Sequence, residues 1–199
     1  MIDSLTFNRR RVLGLAAGSV AGAALLSACT IIPGASASSP STNLYLSMVS
    51  DAMTGKKNYP AFVPSDVTVP AHSTINARIV QFDEGAAALP ENLAHYAKIT
   101  GTVGGSAVTQ PITLTDPNNA GASTTFQELA PTDVSHTFTV DGLTLNVPLP
   151  VSSIVSFSFQ TGNPGTYTWM CMAPCGTSAD GLGVPMGQTG YMMGTLHVV

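Results

Sequence analysis

Cys171 and Cys175 stand in a Cys-x-x-x-Cys spacing, in a stretch that also holds Pro174, Gly176, Gly181, Gly183 and Pro185. Met170, Met172, Met186, Met192 and Met193 surround them, so five of the chain's eight methionines fall between positions 170 and 193. Thiolates and thioethers together are the donor set that selects copper, above all Cu(I), over hard cations. A nitrogen donor is available upstream. His136 lies in Ser135-His136-Thr137-Phe138-Thr139-Val140, shares parity with Phe138 and Val140, and so points to the interior side near a sheet edge. Each piece has a plainer reading too. Outside the cytoplasm the two cysteines could form a tight disulfide ring, His136 could be an ordinary sheet-edge histidine, and the methionines could be packing residues. His197 could be a further donor or a strand-surface residue, while His72 and His95 sit in no motif. The acids are scattered, and no Gly-x-Ser-x-Gly elbow, phosphate loop or histidine-rich hydrolase pattern occurs, so no enzyme is expected.

Strands must position these residues. From Leu44 onward no run keeps a 3.6-residue period, whereas alternating or β-branched runs bounded by Gly, Pro, Asn and Asp recur. The predicted strands are 44–49, 65–69, 74–82, 96–102, 112–114, 124–128, 135–140, 154–160, 165–171 and 194–199, with a short helix within 87–97. Val155, Phe157 and Phe159 oppose Ser156, Ser158 and Gln160, and Tyr167, Trp169 and Cys171 share one face. So many short strands predict an all-β fold, a two-sheet β-sandwich with Greek-key links.

The same segments resemble a family. His136-x-Phe138 opening a strand, then Pro164-Gly165-Thr166-Tyr167-Thr168-Trp169-x-Cys171, and finally Met192-Met193-Gly194-Thr195-Leu196-His197-Val198, resemble the cupredoxins. Tyr59-Pro60 and the run from Pro64 to Ala71 resemble the family's early strands. The resemblance runs from about Leu44 to Val199 and implies a cupredoxin-like domain over 44–199. It implies a copper site in which His136 is the first histidine ligand, Cys171 the thiolate and Met192 the axial methionine. The family's second histidine, three to five residues before that methionine, is replaced by Gly187, Gln188 and Thr189. The Cys171/Cys175 spacing is similar instead to the two-copper centre of cytochrome oxidase subunit II, with Cys175 as a further thiolate. That pattern's histidine and methionine positions hold Ala179 and Leu182.

The N-terminus reads as an address. Arg9, Arg10 and Arg11 precede an uncharged Ala- and Gly-rich run from Gly14 to Leu26, shorter than the ~20 residues of a spanning helix. The arginines with Val12 and Leu13 resemble a twin-arginine (Tat) signal, and Leu26-Ser27-Ala28-Cys29 resembles a lipobox. Residues 1–28 are therefore read as a signal peptide, Cys29 as the lipidated residue, and 29–43 as a flexible tether. That places the domain at the outer face of the cytoplasmic membrane, held there by lipid. From Cys29 onward four basic side chains face ten acidic ones, a formal charge of −6, which disfavours nucleic acid as a partner. Charged residues make up 9% and hydrophobic ones 44% of the chain. The leading reading is a tethered copper protein for electron transfer, with a respiratory-chain or copper-handling protein as partner. The alternatives are a Cu(I) carrier or assembly factor for a respiratory oxidase, and a metal-free binding or structural module of the same fold.

Overall fold

A computed structural model of the chain describes residues 40–175 and 184–199. The signal, Cys29, and most of the tether lie outside the described residues. Among the described residues eleven strands form two sheets: β1 (Ser41–Val49), β2 (Ala61–Val63), β3 (Asp66–Val69), β4 (Thr74–Gln81), β5 (Ala107–Pro111), β6 (Thr124–Phe126), β7 (Val134–Val140), β8 (Leu145–Pro150), β9 (Ser153–Gln160), β10 (Gly165–Met170) and β11 (Met193–Val198). One sheet has the order β2-β1-β4-β9-β5-β6 and the other β3-β11-β10-β7-β8. Successive strands cross between the sheets at β2–β3, β3–β4, β6–β7, β8–β9 and β9–β10, as an all-β sandwich requires. No helix among the described residues is long and apolar enough to cross a membrane.

The core lies where the inward residues of both sheets meet. Leu46, Ile75, Ile79, Val155 and Phe159 come from one sheet, and Phe138, Val140, Trp169 and Leu196 from the other, all 2% exposed or less. Phe138 sits 5.5 Å from Trp169 and about 6 Å from Phe62 and Phe157, ring centre to ring centre. Such tilted pairs add to the area that the rings bury. Gly194 stands opposite Trp169 in the β10–β11 ladder. A Cβ there would collide with the indole and with the Ser65 carbonyl, so the motif's glycine is required by close packing.

The elements depart from the predicted ones in several places. β1 begins at Ser41, within the stretch read as tether, because Ser41 and Thr42 continue its parallel ladder with Thr74 and Ile75. The predicted strand 96–102 forms no ladder. Ala97 and Ile99 are buried at strand-like spacing, but Lys98, Thr100 and Thr102 bridge to three different partners, Glu128, Asn146 and Phe159. The predicted helix shortens to a 3₁₀ turn at Glu91–Ala97. The predicted strand 112–114 is displaced to β5, which pairs with β9 as far as Pro111 opposite Ser153; one residue on, the Ile112 N–H still donates to the Ser152 carbonyl. β8 was not predicted, because Pro148 and Pro150 read as breakers; it is an edge strand, where proline is tolerated.

Candidate metal centre

His136 belongs to β7, whose β-branched and aromatic residues favour a strand. The β7–β8 register slips by one residue between Val134 and His136, a bulge that leaves Ser135 unpaired. Bulges bend a strand and re-aim side chains beside functional sites. Here Ser135 ties the end of β7 to its surroundings: its hydroxyl donates to the Gly85 carbonyl at 2.5 Å, and its carbonyl lies 3.6 Å from Cys175 Sγ. Cys171 follows the last residue of β10, and its N–H donates to the Met192 carbonyl at 2.9 Å, extending the β10–β11 pairing. Met172 is pinned from below, its N–H donating to Thr137 Oγ1 at 2.8 Å. From Thr137 the hydrogen bonds continue through Thr139 to Asn146, whose amide donates to the Tyr96 and Lys98 carbonyls.

The result is a compact group of donors. His136 Nδ1 lies 2.8 Å from Cys175 Sγ and 3.8 Å from Cys171 Sγ, and the two sulfurs are 3.1 Å apart. Both cysteines are free, so the disulfide alternative is not the observed arrangement. All three residues are 2% exposed or less, and their ligand atoms lie within 4.8 Å of one another, a geometry that could hold a metal ion. Donors about 2.0–2.3 Å from one metal in a tetrahedral arrangement are separated by about 3.3–3.8 Å. The three atoms need to spread by only a fraction of an ångström to reach that spacing. On the far side of the ring, His136 Nε2 lies 3.2 Å from Asp83 Oδ2.

Burial disfavours charge on every one of these groups, yet their mutual contacts override it for three of the four. His136 is desolvated, which would lower it, but the Asp83 carboxylate and the Cys171 sulfur push it up to about 9. Burial would raise Asp83, and the hydrogen bonds from His136 and the Gly85 N–H leave it below its ordinary value. Cys171 is likewise opposed by burial, but hydrogen bonds from Cys175, His136 and the Thr137 N–H bring it well below the usual thiol range. Cys175 is pushed the other way, by burial and by the neighbouring thiolate. Although Nδ1 is nearer Cys175, Cys171 accepts the Thr137 N–H at 3.3 Å and is the main seat of one thiolate charge shared by the pair. Thiolate is the form of cysteine that binds metals.

Met192 is fully buried beside this group, with its carbonyl on the Cys171 N–H. Met186 packs against the same core, and Met170, Met172 and Met193 are half-buried. The other histidines lie elsewhere: His197 faces Asp66 at 3.2 Å from β11, His95 stacks on Tyr96, and His72 sits in a turn after β3. Asp83 gave no signal in the sequence, because it lies in an irregular segment after β4 with no motif around it. A cleft of about 410 Å³, lined in part by Asp51, Asn58, Asp83 and Pro174, reaches His136 and Cys175 from the surface.

No protein-family model matches the chain. No curated protein matches it either. Among solved structures it is similar to auracyanin B, with 16% identity over 81% of this chain and 90% of that one and a TM-score of 0.36. Auracyanin A, a blue copper protein from the green thermophilic photosynthetic bacterium Chloroflexus aurantiacus, aligns over 80% of this chain and 99% of its own at 15% identity, with a TM-score of 0.36. A chain of a heme-copper terminal oxidase aligns at 12% identity over 81% of this chain and 65% of that one, with a TM-score of 0.38.

Proposed function

We propose that the chain is a cupredoxin-like copper protein that transfers electrons, with the metal held by His136, Cys171 and Cys175 and with Met192 as a further donor. The observation that carries this reading is the convergence of one ring nitrogen and two free sulfurs in a buried pocket. Those donors suit copper because soft sulfur ligands select Cu(I) while imidazole also accepts Cu(II). Bound copper would supply a one-electron couple at the end of the sandwich. The protein's part is to exclude water by burial, to keep one thiolate charge ready, and to hold the donors rigid through β7, β10 and the hydrogen bonds between them. In this reading the chain acts as a carrier of electrons rather than a catalyst. In this reading Cys29 carries lipid, the Tat-like signal exports the domain, and its electron partner is a respiratory-chain protein at the outer face of the cytoplasmic membrane.

A second reading, a Cu(I) carrier for a respiratory oxidase, is favoured by the cleft that opens onto Cys175 and His136. A paired-sulfur site beside such a cleft suits exchange of Cu(I) with another protein. The test is copper loading of the purified protein, followed by metal analysis and redox cycling. Stoichiometric copper retained through oxidation and reduction supports electron transfer; copper kept only as Cu(I) and surrendered to a competing protein supports the carrier. Absence of copper uptake overturns both and leaves a metal-free sandwich.

A further inference from the structure

We propose that Asp83 is the positioning residue that commits His136 to bind metal through Nδ1, by holding the hydrogen of Nε2 on the opposite side of the ring. This rests on the copper reading above. A neutral imidazole keeps one hydrogen, and only the nitrogen without it can donate to a metal. His136 Nδ1 faces the sulfurs, so the ring serves the site only if its hydrogen stays on Nε2. Asp83 Oδ2, 3.2 Å from Nε2, is the acceptor that keeps it there. The carboxylate also makes the ring a stronger donor, as outer hydrogen-bond partners of metal-bound histidines do. Asp83 is not among the residues whose donor atoms lie within 4.8 Å of one another, and its contact is with the other ring nitrogen.

The surroundings of Asp83 hold it in place. Its Oδ1 accepts the Gly85 N–H at 3.1 Å, and its carbonyl accepts the Ser152 N–H at 3.0 Å. Its own N–H donates to Oε1 of Gln81, a fully buried side chain whose amide nitrogen lies 3.3 Å from the Pro150 carbonyl. The Gly85 carbonyl in turn receives the hydroxyl of Ser135, next to His136 itself. Segment 81–85 is thus tied at one end to the β8–β9 turn and at the other to the bulge of β7. A carboxylate fixed at both ends can select one ring tautomer, whereas a free surface acid would sample solvent.

The test uses purified protein loaded with Cu(I), which is diamagnetic, under a reductant. Long-range ¹⁵N–¹H NMR reads which nitrogen of His136 is protonated, and competition with a chromogenic Cu(I) chelator reads the affinity. In the unaltered protein, Nε2 should carry the hydrogen and Nδ1 should be metal-bound. Asp83→Ala should weaken Cu(I) binding by about 10–100-fold and mix the two nitrogen states. Asp83→Asn, close in shape but uncharged, should fall between, and Asp83→Glu should recover part of the affinity. Circular dichroism of each variant separates loss of fold from loss of positioning. If Asp83→Asn and Asp83→Ala fold, bind Cu(I) within about twofold of the parent, and keep Nδ1 as the sole ligating nitrogen, the assignment is overturned. Binding through Nε2 in the unaltered protein overturns it equally. A parent protein that takes up no copper overturns the functional reading instead, and does so before any variant is compared.

Discussion

Strands β7 and β9 both alternate apolar with polar residues, yet they are buried in different ways. In β9, Val155, Phe157 and Phe159 face the core while Ser156 and Ser158 stay partly exposed. In β7 all seven residues are buried, and four of them, Ser135, His136, Thr137 and Thr139, are polar. Burying an unpartnered hydroxyl or imidazole costs several kcal/mol, so each must find a partner. Thr137 and Thr139 find theirs in the row from Met172 to Asn146, and His136 in Cys175 and Asp83. A strand with one wet face is a wall of the sandwich. One buried on both faces can support a site.

The largest effect is expected at Phe138, which packs against Phe62, Phe157 and Trp169 beneath the site. Phe138→Ala should cost about 3–5 kcal/mol by urea denaturation. The charge pattern of β7 gives the next test, in metal-free protein. The folded histidine titrates near 9 rather than 6.5, so its stabilisation is complete below pH 6.5 and is lost as pH rises towards 9. Cys171 is lowered from 9.0, so its contribution grows once the folded thiol ionises and is complete above about pH 9. Where the histidine is protonated and the thiol ionised in the folded state, and neither holds in the unfolded one, the proton counts cancel. Stability should therefore be level through that window up to about pH 9, then fall as Cys175 keeps its proton in the folded state alone. Cys171→Ser removes the compensation, and its urea midpoint should decline from about pH 6.5 upward.

A smaller loss is expected in the hydroxyl row. Thr139→Val preserves shape but takes the hydroxyl from Asn146 Oδ1 and Thr137 Oγ1, at a cost of about 1–3 kcal/mol in the same denaturation assay. On the wet face of β9, Ser158→Ala removes only an exposed hydrogen bond to Asn76 and should change stability by less than about 0.5 kcal/mol. Equal costs at Thr139 and Ser158 would erase the distinction between the two strands.

Much of the sandwich is legible in the sequence where one face meets water, as in β4, β9 and β11, because alternation then reports burial directly. It is less legible where cover comes from irregular chain. Lys98 and Thr100 bridge as a strand would, but to separate partners, and β8 hides behind two prolines at an edge. At the site, His136 and Cys171 can be brought together on paper because both lie at strand ends. Asp83, the Ser135 bulge and the Thr137–Thr139–Asn146 row cannot, since their roles depend on contacts, some of them across 50 and 53 positions, that no local spacing encodes.

The most direct measurement of the central claim is the visible absorption of the copper-loaded protein and of its Cys171→Ser and Cys175→Ser variants, with bound copper measured on each sample. A cysteine thiolate bound to Cu(II) should give an intense charge-transfer band. Cys171→Ser should remove most of it and shift what remains, and Cys175→Ser should shift it as well. An unaltered protein that holds copper without such a band, or Cys171→Ser and Cys175→Ser variants that both keep it unchanged, would contradict ligation by the buried sulfur pair.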